Sequence, residues 1–558
     1  MQTDFKRIVL MIIFGFSVMI LWTNWTAHNA PRQTPVAGQS GAAGQANLPS
    51  PMASGTAAGN SAATPALQSG GIAANRAAYA QAPKVVVTTP TMKVTVSARG
   101  GDIIGVELLK HWKDNKKEQH YQLLQDEGDH FYVARSGLIG NGLPNHTTLF
   151  DIKPVVREGN TQVLRLAATG PDGATVTKVL TFTDESYKVD VGYEINNPGS
   201  KPVDASAYFE LVRDDKPLEH KTGLFGAGST FTGPAVYTEE GKFQKVDFKK
   251  IAEGKADYQK TAKDGWVAMV QHFFVAAYLP VAGTPHEFFM RKVDDAGELF
   301  GAGVKFKVDA AAGKSAKFMV PMYVGPQEQK NLEAIAPGFS SVVDYGWTKT
   351  IAQPLFWGLS KIYAVLGNWG WSILLVTFLI KLVFFPLSAA SYKSMAKMKE
   401  VMPRIKALQE RYANDKVKQQ QAMMELYKTE KVNPAGGCLP IAVQMPVFMA
   451  LYYVLQSVVE MRQAPWLGWI QDLSSPDPYY ILPIIMGVTM LVQTKLNPTP
   501  ADPVQAKVMY LMPIFFTAMF LFFPSGLVLY WVLNNFLSIL QQWYITRKYT
   551  NVSAKAAS

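Results

Sequence analysis

Leu374-Leu-Val-Thr-Phe-Leu-Ile-Lys-Leu-Val-Phe-Phe-Pro386 is an almost unbroken apolar run with one lysine, Lys381, inside it. A charge set so deep in an apolar segment is expensive and is by default a functional feature. The alternative is a lysine that snorkels toward a nearby interface, since a basic segment begins only several residues on. Thr377 lies one helical turn before Lys381 and Ser388 two turns after it, on one helical face.

Further apolar segments surround this one. Membrane spans are expected near 357–387, 437–458, 479–496, 508–523 and 525–543. The last two are joined only by Pro524-Ser525-Gly526, so they form a tight hairpin across a thin bilayer. The final span carries Trp531, Asn534, Asn535, Ser538, Gln541 and Gln542 at i, i+3, i+4, i+7, i+10 and i+11, a polar stripe on an otherwise apolar helix. Gln444, Thr489, Gln493 and Thr517 add polar groups to other spans. Such groups serve as interhelical hydrogen-bond partners in helical bundles. Together with a cationic face they also fit a water-filled recess.

Between the first two of these spans lies a basic segment, 389–436, with ten Lys or Arg. Met395, Met398, Met402, Ile405, Leu408 and Tyr412 follow a 3-4 spacing. After Ala413-Asn-Asp415 comes a second helical pattern with Val417, Gln420, Met424 and Tyr427, so the segment reads as an antiparallel helical hairpin. Pro403 is expected to kink its first arm. The methionines pack the two arms; a flexible methionine surface also holds varied apolar clients. The segment 459–478 has Arg462 against Glu460, Asp472 and Asp477, and the tail carries Arg547, Lys548 and Lys555. The positive-inside rule places 389–436 and both termini in the cytoplasm.

The rest of the chain differs. Residues 8–22 are apolar, preceded by Lys6 and Arg7 and followed by Trp22 and Trp25; they read as an uncleaved anchor or as a cleaved signal peptide. Counting the anchor gives six spans. Residues 30–83, rich in Ala, Gly, Gln, Ser and Pro, read as a flexible linker. From 84 to about 325, runs such as Lys93-Val-Thr-Val96, Val179-Leu-Thr-Phe-Thr183 and Tyr187-Lys-Val-Asp-Val-Gly-Tyr193 alternate between turn signals. They predict a large all-β sandwich on the external side of the membrane. Residues 327–350, with Phe339, Val342, Val343 and Trp347 at helical spacing, predict an amphipathic helix, lying on the membrane or packed on the sandwich.

Across 558 residues, hydrophobic side chains make up 48% and charged ones 17%, below the roughly 25% usual for soluble domains. The net charge of +11 is explained by topology, without nucleic acid. A single cysteine, Cys438, excludes an intramolecular disulfide, and all eight histidines precede residue 290, which leaves the C-terminal half without zinc chemistry. None of the five C-terminal spans contains Asp or Glu, which argues against a proton- or cation-coupled transporter. No phosphate-binding Gly-x-x-x-x-Gly-Lys-Ser/Thr loop is present, and no nucleophile–base pair is evident in the membrane half. No cofactor or metal is implied. A small-molecule transporter or lipid flippase is opposed further by the lack of an inverted repeat. An envelope enzyme or sugar-binding protein working through the β domain is the other alternative.

Three motifs are more specific: Asn433-Pro-Ala-Gly-Gly-Cys-Leu-Pro440 with Gln444-Met-Pro446, Asp477-Pro-Tyr-Tyr-Ile-Leu-Pro483, and Phe523-Pro-Ser-Gly-Leu-Val-Leu-Tyr530. On these the chain resembles the YidC membrane-protein insertases, in their Gram-negative form. The resemblance implies a five-helix insertase core with a hydrophilic groove that carries one positive charge, usually arginine. That position is Lys381 here, which keeps the charge and loses the bidentate fork. Thr377 matches a groove threonine, and Trp531 stands where a tyrosine is common. The implied architecture is a polytopic α-helical inner-membrane protein with a periplasmic β-sandwich. Its segments are an anchor (1–29), linker (30–83), sandwich (84–335), interfacial helix (336–352), span (353–388), hairpin (389–436), further core spans (437–546) and tail (547–558). The implied function is non-enzymatic insertion and folding of nascent membrane proteins, alone or with the Sec translocon, with membrane lipids and the ribosome as further partners. Expected groove residues are Lys381, Thr377, Ser388, Gln444, Trp531, Asn534 and Asn535, and expected hairpin contacts are Met395, Met398, Met402 and Met424.

Overall fold

The computed structural model describes residues 71–170, 173–216, 231–294, 298–413, 415–430, 432, 439–497 and 503–557. The expected anchor, the linker up to residue 70 and motif residues 433–438 lie outside them. Two compact units emerge: one reaches residue 344 and includes 457–460, and the other comprises 345–456 and the chain from 461 onward.

In the first unit the period-2 runs form two antiparallel sheets. One has the order Lys84–Thr88, Met92–Ser97, Ile103–Trp112, Tyr132–Ile139, Val203–Asp214, Leu299–Ala310, His286–Lys292, Thr261–Ala262, with His120–Leu124 also paired to Ile103–Trp112. The other runs Lys242–Lys245, Gly233–Thr238, Trp266–Val270, Phe274–Tyr278, Ser315–Pro326, Lys188–Asn196, Thr175–Thr183, Thr161–Thr169, Asp151–Ile152, with Val156–Glu158 paired to Thr161–Thr169. Register follows the alternation: Val189 sits opposite Phe182 on one side and Met322 on the other, and all three are buried. A one-residue slip would turn each outward. Leu180, Val191 and Val320 from one sheet share a core with Val94, Phe209 and Val304 from the other. Full burial of each such side chain contributes about 1.5–3 kcal/mol.

That core also holds charges. In Thr175–Thr183 the inward positions are Val176, Lys178, Leu180 and Phe182, so Lys178 follows its neighbours inside. Its Nζ donates to Gly100 O at 2.9 Å and lies 3.8 Å from Asp102 Oδ1. The Tyr79 hydroxyl donates to Asp102 Oδ2 at 2.8 Å and accepts from Arg135 Nε at 3.0 Å. Burial pushes the Asp102 carboxyl up to about 6, with Lys178 and Arg135 opposing, and pushes Lys178 down to about 8, with Asp102 opposing.

Tyr79 belongs to helix α1 (Ile72–Ala80), inside the stretch expected as linker. Two things order it: an alanine-rich segment of high helix propensity, and anchors in the sandwich. Arg76 donates to the carbonyls of Asp126, Gly128 and His130, and Asn75 accepts from Arg135. The segment 327–350 is not one helix either. After α2 (Phe248–Ala252) and the sheets comes α3 (Gln329–Ile335), then short 3-10 turns at Phe339–Val342 and Gly346–Thr348. Pro337 cannot continue a helix, and Gly338 at φ 65° adopts the left-handed region. Phe339 is buried against Trp266 and Tyr323, so it belongs to the sandwich. The interfacial helix expected at 336–352 is replaced by α4 (Lys349–Leu366), with Trp357 and Val365 exposed.

The second unit is helical: α5 (Trp369–Val383), α6 (Phe385–Arg411), α7 (Lys416–Thr429), α8 (Leu439–Ser457), α9 (Ile481–Leu496), α10 (Pro503–Phe520) and α11 (Ser525–Ala557). The span expected over 357–387 is three pieces. Gly367, at φ 65°, ends α4 and donates to Tyr363 O. Asn368 caps α5 by accepting from Trp371 N. At Phe384 the chain bends by 65° into α6, whose first turn holds Pro386, where a missing N–H costs nothing. The first hairpin arm is therefore continuous with the second half of this bent span, with no boundary at 389, and α6 is helical through Pro403. Among the described residues no single helix is long and apolar enough to cross a membrane; by length and composition the α5–α6 pair is. Asp477, in the motif preceding α9, accepts from Leu482 N, Tyr479 N and Trp469 Nε1. Asp472 accepts from Gln463 N, Ser474 and Ser475. The 472–475 segment also clasps the start of α11: Ser525 N donates to Ser475 O at 2.7 Å and Gly526 N to Leu473 O at 3.0 Å.

This bundle is patterned inside out. Leu379, Leu382 and Val383 of α5, Ile484, Val488 and Val492 of α9, and Leu511, Ile514 and Phe515 of α10 are exposed. Ser372, Thr377, Lys381, Asn534, Asn535, Ser538 and Gln542 are buried. A water-soluble helix does the reverse; an apolar exterior of this extent faces lipid.

Candidate functional site

The bend at Phe384 turns α6 so that Ser388 and Lys381 face one recess, although they sit on different helices. Ile380, Lys381, Phe384, Leu387 and Ser388 line it from one side and Val443, Gln444 and Val447 of α8 from the other; its volume is ≈ 350 Å³ counted to its open mouth. Lys381 is 7% exposed, and its Nζ donates to Ser538 Oγ of α11 at 2.8 Å. Among the described residues it forms no ion pair.

The polar stripe of α11 is used in several directions. Gln444 Nε2 is hydrogen-bonded to Asn534 Oδ1 and, at 3.4 Å, to the Tyr530 hydroxyl. Asn535 turns to α9, where its Nδ2 donates to Thr489 Oγ1 at 3.2 Å. Gln542 donates to Asn497 Oδ1 at 3.0 Å. Trp531 leaves the stripe: its indole packs edge-on against Phe448 at 4.7 Å and against Phe520 at 5.5 Å. A large ring gains more from apolar contact than from a polar face. Thr377 is buried and gives its hydroxyl to Ile373 O of its own helix at 2.6 Å, so it does not line the recess. Of the seven expected groove residues, Lys381, Ser388 and Gln444 meet at the recess and Asn534 braces Gln444. Thr377, Trp531 and Asn535 do not share it.

The hairpin closes on Val401, Ile405 and Val432, with Met398, Met402, Met423, Leu426 and Tyr427 packed around them. Met395 is half-buried and Met424 exposed. Asp415 caps α7 by accepting from Lys418 N, and Arg404 pairs with Glu430.

Sequence reasoning missed Tyr392, Tyr530 and the pairing of Ser538 with Lys381. Spacing held the signal for the first: Ser388 and Tyr392 are at i and i+4, one face of α6. Tyr392 is buried and lies beside Ser538. Tyr530, beside Trp531, supplies the hydroxyl near Gln444 that the tryptophan lacks.

An apolar-faced helical bundle with a buried cation at an internal recess, joined in sequence to a folded β-sandwich, fits the class of helical membrane proteins that carry a large extramembrane domain. The family model described as "60Kd inner membrane protein" matches residues 361–552, and that of the "YidC periplasmic domain" matches 84–358. The membrane protein insertase YidC of Aromatoleum aromaticum is 54% identical over 98% of both chains, and that of Dechloromonas aromatica 48% identical over 98% of this chain and 97% of its own. Among solved structures, an active YidC insertase aligns with 83% of this chain and 92% of its own at 20% identity and a TM-score of 0.40. The chain belongs to the YidC family of inner-membrane protein insertases that carry a periplasmic domain.

Proposed function

We propose that this chain inserts and helps fold nascent membrane proteins through the recess at Lys381, without nucleotide hydrolysis. The observation that carries this is a buried lysine whose one partner among the described residues is an uncharged hydroxyl, facing a recess bounded by Ser388 and Gln444. The polar groups draw water partway into the bilayer and shorten the apolar barrier facing a client's hydrophilic end. The ammonium attracts acidic residues of that end. The client's apolar segment then moves along the exposed apolar helices into lipid, driven by its own transfer at about 25 cal/mol per Å². The insertase lowers a barrier and supplies no energy.

Both termini and the hairpin are cytoplasmic in this reading, the sandwich and 465–475 periplasmic, and the anchor supplies a sixth span. The hairpin offers exposed Met424 and half-buried Met395 to arriving clients, with Met398 and Met402 beneath. Lys381, Ser388 and Gln444 contact the client; Thr377, Asn534, Asn535 and Trp531 shape the bundle around them. Action alone or beside the Sec translocon, and contact of the Arg547 and Lys548 tail with ribosomes, belong to the same reading. Photocrosslinkers placed at positions 388 and 444 should capture a nascent membrane protein, while one at position 484, on the outer face of α9, captures lipid. Equal capture of client at all three positions contradicts the groove.

A further inference from the structure

We infer that Ser538 is a positioning residue that fixes the depth of the Lys381 ammonium in the groove, so that it meets the acidic end of a client at one level. The inference rests on the insertase reading above.

The Ser538 hydroxyl has one proton and two lone pairs. It donates to Asn534 O at 2.7 Å and accepts from Lys381 Nζ at 2.8 Å. Two helices, α5 and α11, thus meet at one oxygen. A serine that bonds only to its own helix turn is ordinary; one that also anchors an ammonium from another helix is a fixed point.

Lysine needs such a point. Its charge rides on a flexible four-carbon stem, without the planar fork that sets an arginine's direction. Unanchored near a membrane interface it snorkels. Gln444 lines the same recess, but the ammonium donates to Ser538 and not to it; the Gln444 Nε2 is turned to Asn534 and Tyr530. Ser538 lies one turn beyond Asn534, about 6 Å along the axis, so the ammonium is held a full turn from the Gln444–Asn534 pair. Ser538 is neutral, so it orients the charge without cancelling it. One hydroxyl uses one of three N–H donors, which leaves the ammonium able to receive a carboxylate.

The test is insertion by the full-length protein in reconstituted vesicles, with two clients that differ only in Asp/Glu or Asn/Gln at the translocated end. Ser538→Ala should lower insertion of the acidic client on the order of threefold, the low end of what one hydrogen bond contributes, and leave the neutral one unchanged. Ser538→Thr, which keeps the hydroxyl, should restore it. In a Lys381→Ala background, Ser538→Ala should add nothing. Equal loss for both clients, or a full additional loss in that background, overturns the positioning role while the charge role of Lys381 stands. If Lys381→Ala itself treats the two clients alike, the charge-based reading falls and the positioning role with it.

Discussion

Two lysines among the described residues are buried, and they are buried in opposite company. Lys178, in the sandwich core, faces Asp102 across 3.8 Å, donates to a backbone carbonyl and sits 5.7 Å from the Tyr193 ring centre. Arg135 and Tyr79 complete a network around the same carboxylate. Lys381, in the bundle, touches one neutral hydroxyl and opens onto a recess. The first charge is matched locally and has nothing left to offer a ligand. The second is left unmatched, which is unfavourable for the fold and leaves an electrostatic field available to something that arrives.

That contrast is sharpest in what truncation does. Lys178→Met takes one cation from the buried Asp102 carboxylate, leaving it Arg135 and Tyr79, and should cost about 3 kcal/mol of sandwich stability. Lys381→Met removes a charge that costs roughly 2.5–3.5 kcal/mol to hold at such depth, so the bundle should melt no lower than the parent. Thermal melts of both variants in one detergent measure this; a bundle that is destabilised as much as the sandwich breaks the comparison.

The pH dependence of the sandwich is the next largest effect. In the folded domain Asp102 holds its proton up to about 6, whereas the unfolded chain releases it near 3.8. Asp102 therefore contributes stability that is full below pH 3.8 and is lost as pH rises through 6, by roughly 3 kcal/mol. Lys178, lowered from 10.5 to about 8, contributes stability that is present above pH 10.5 and lost as pH falls through 8. Urea unfolding at pH 4 and pH 6 should show the gap between parent and Asp102→Asn changing by roughly 2 kcal/mol, the part of the effect that falls inside that window. A constant gap removes the carboxyl from the account.

For Lys381 the effect appears in activity. Lys381→Ala should lower insertion of a client with an acidic translocated end on the order of tenfold, the scale of one charged hydrogen bond, and spare a neutral one. Lys381→Arg should retain function, and Lys381→Glu should fall below Lys381→Ala for the acidic client. Vesicle insertion assays decide, and equal insertion by Lys381→Ala across clients leaves only a polar groove. Smallest is Met424→Ser on the exposed hairpin face. Its stability should stay within about 0.5 kcal/mol of the parent, while crosslinking of position 424 to nascent chains drops. Unchanged crosslinking assigns that methionine no client role.

The strands and most helices were legible because alternation and apolar runs are local signals. Lys381 was legible for the same reason, as a lone charge in a greasy run. Lys178 was equally open to reading, since Val176, Lys178, Leu180 and Phe182 keep one phase, yet a lysine on an alternating strand is more often outward. Its partner Asp102 is 76 residues away in sequence, a contact no local pattern announces. The bend at Phe384 was hidden by apolar side chains that run smoothly through it. Trp531 was misplaced because periodicity assigns a residue to a face and says nothing of where a large ring finds its best contacts.

The clasp between 472–475 and Ser525-Gly526 has a bearing on order of assembly. It joins segments about 50 residues apart, with α9 and α10 between them, and its hydrogen bonds need both helices already in place. The clasp can shut only on a finished pair. In the biogenesis of this protein it is a late event, and a chain stalled with one helix inserted leaves the amide hydrogens of Ser525 and Gly526 without those partners.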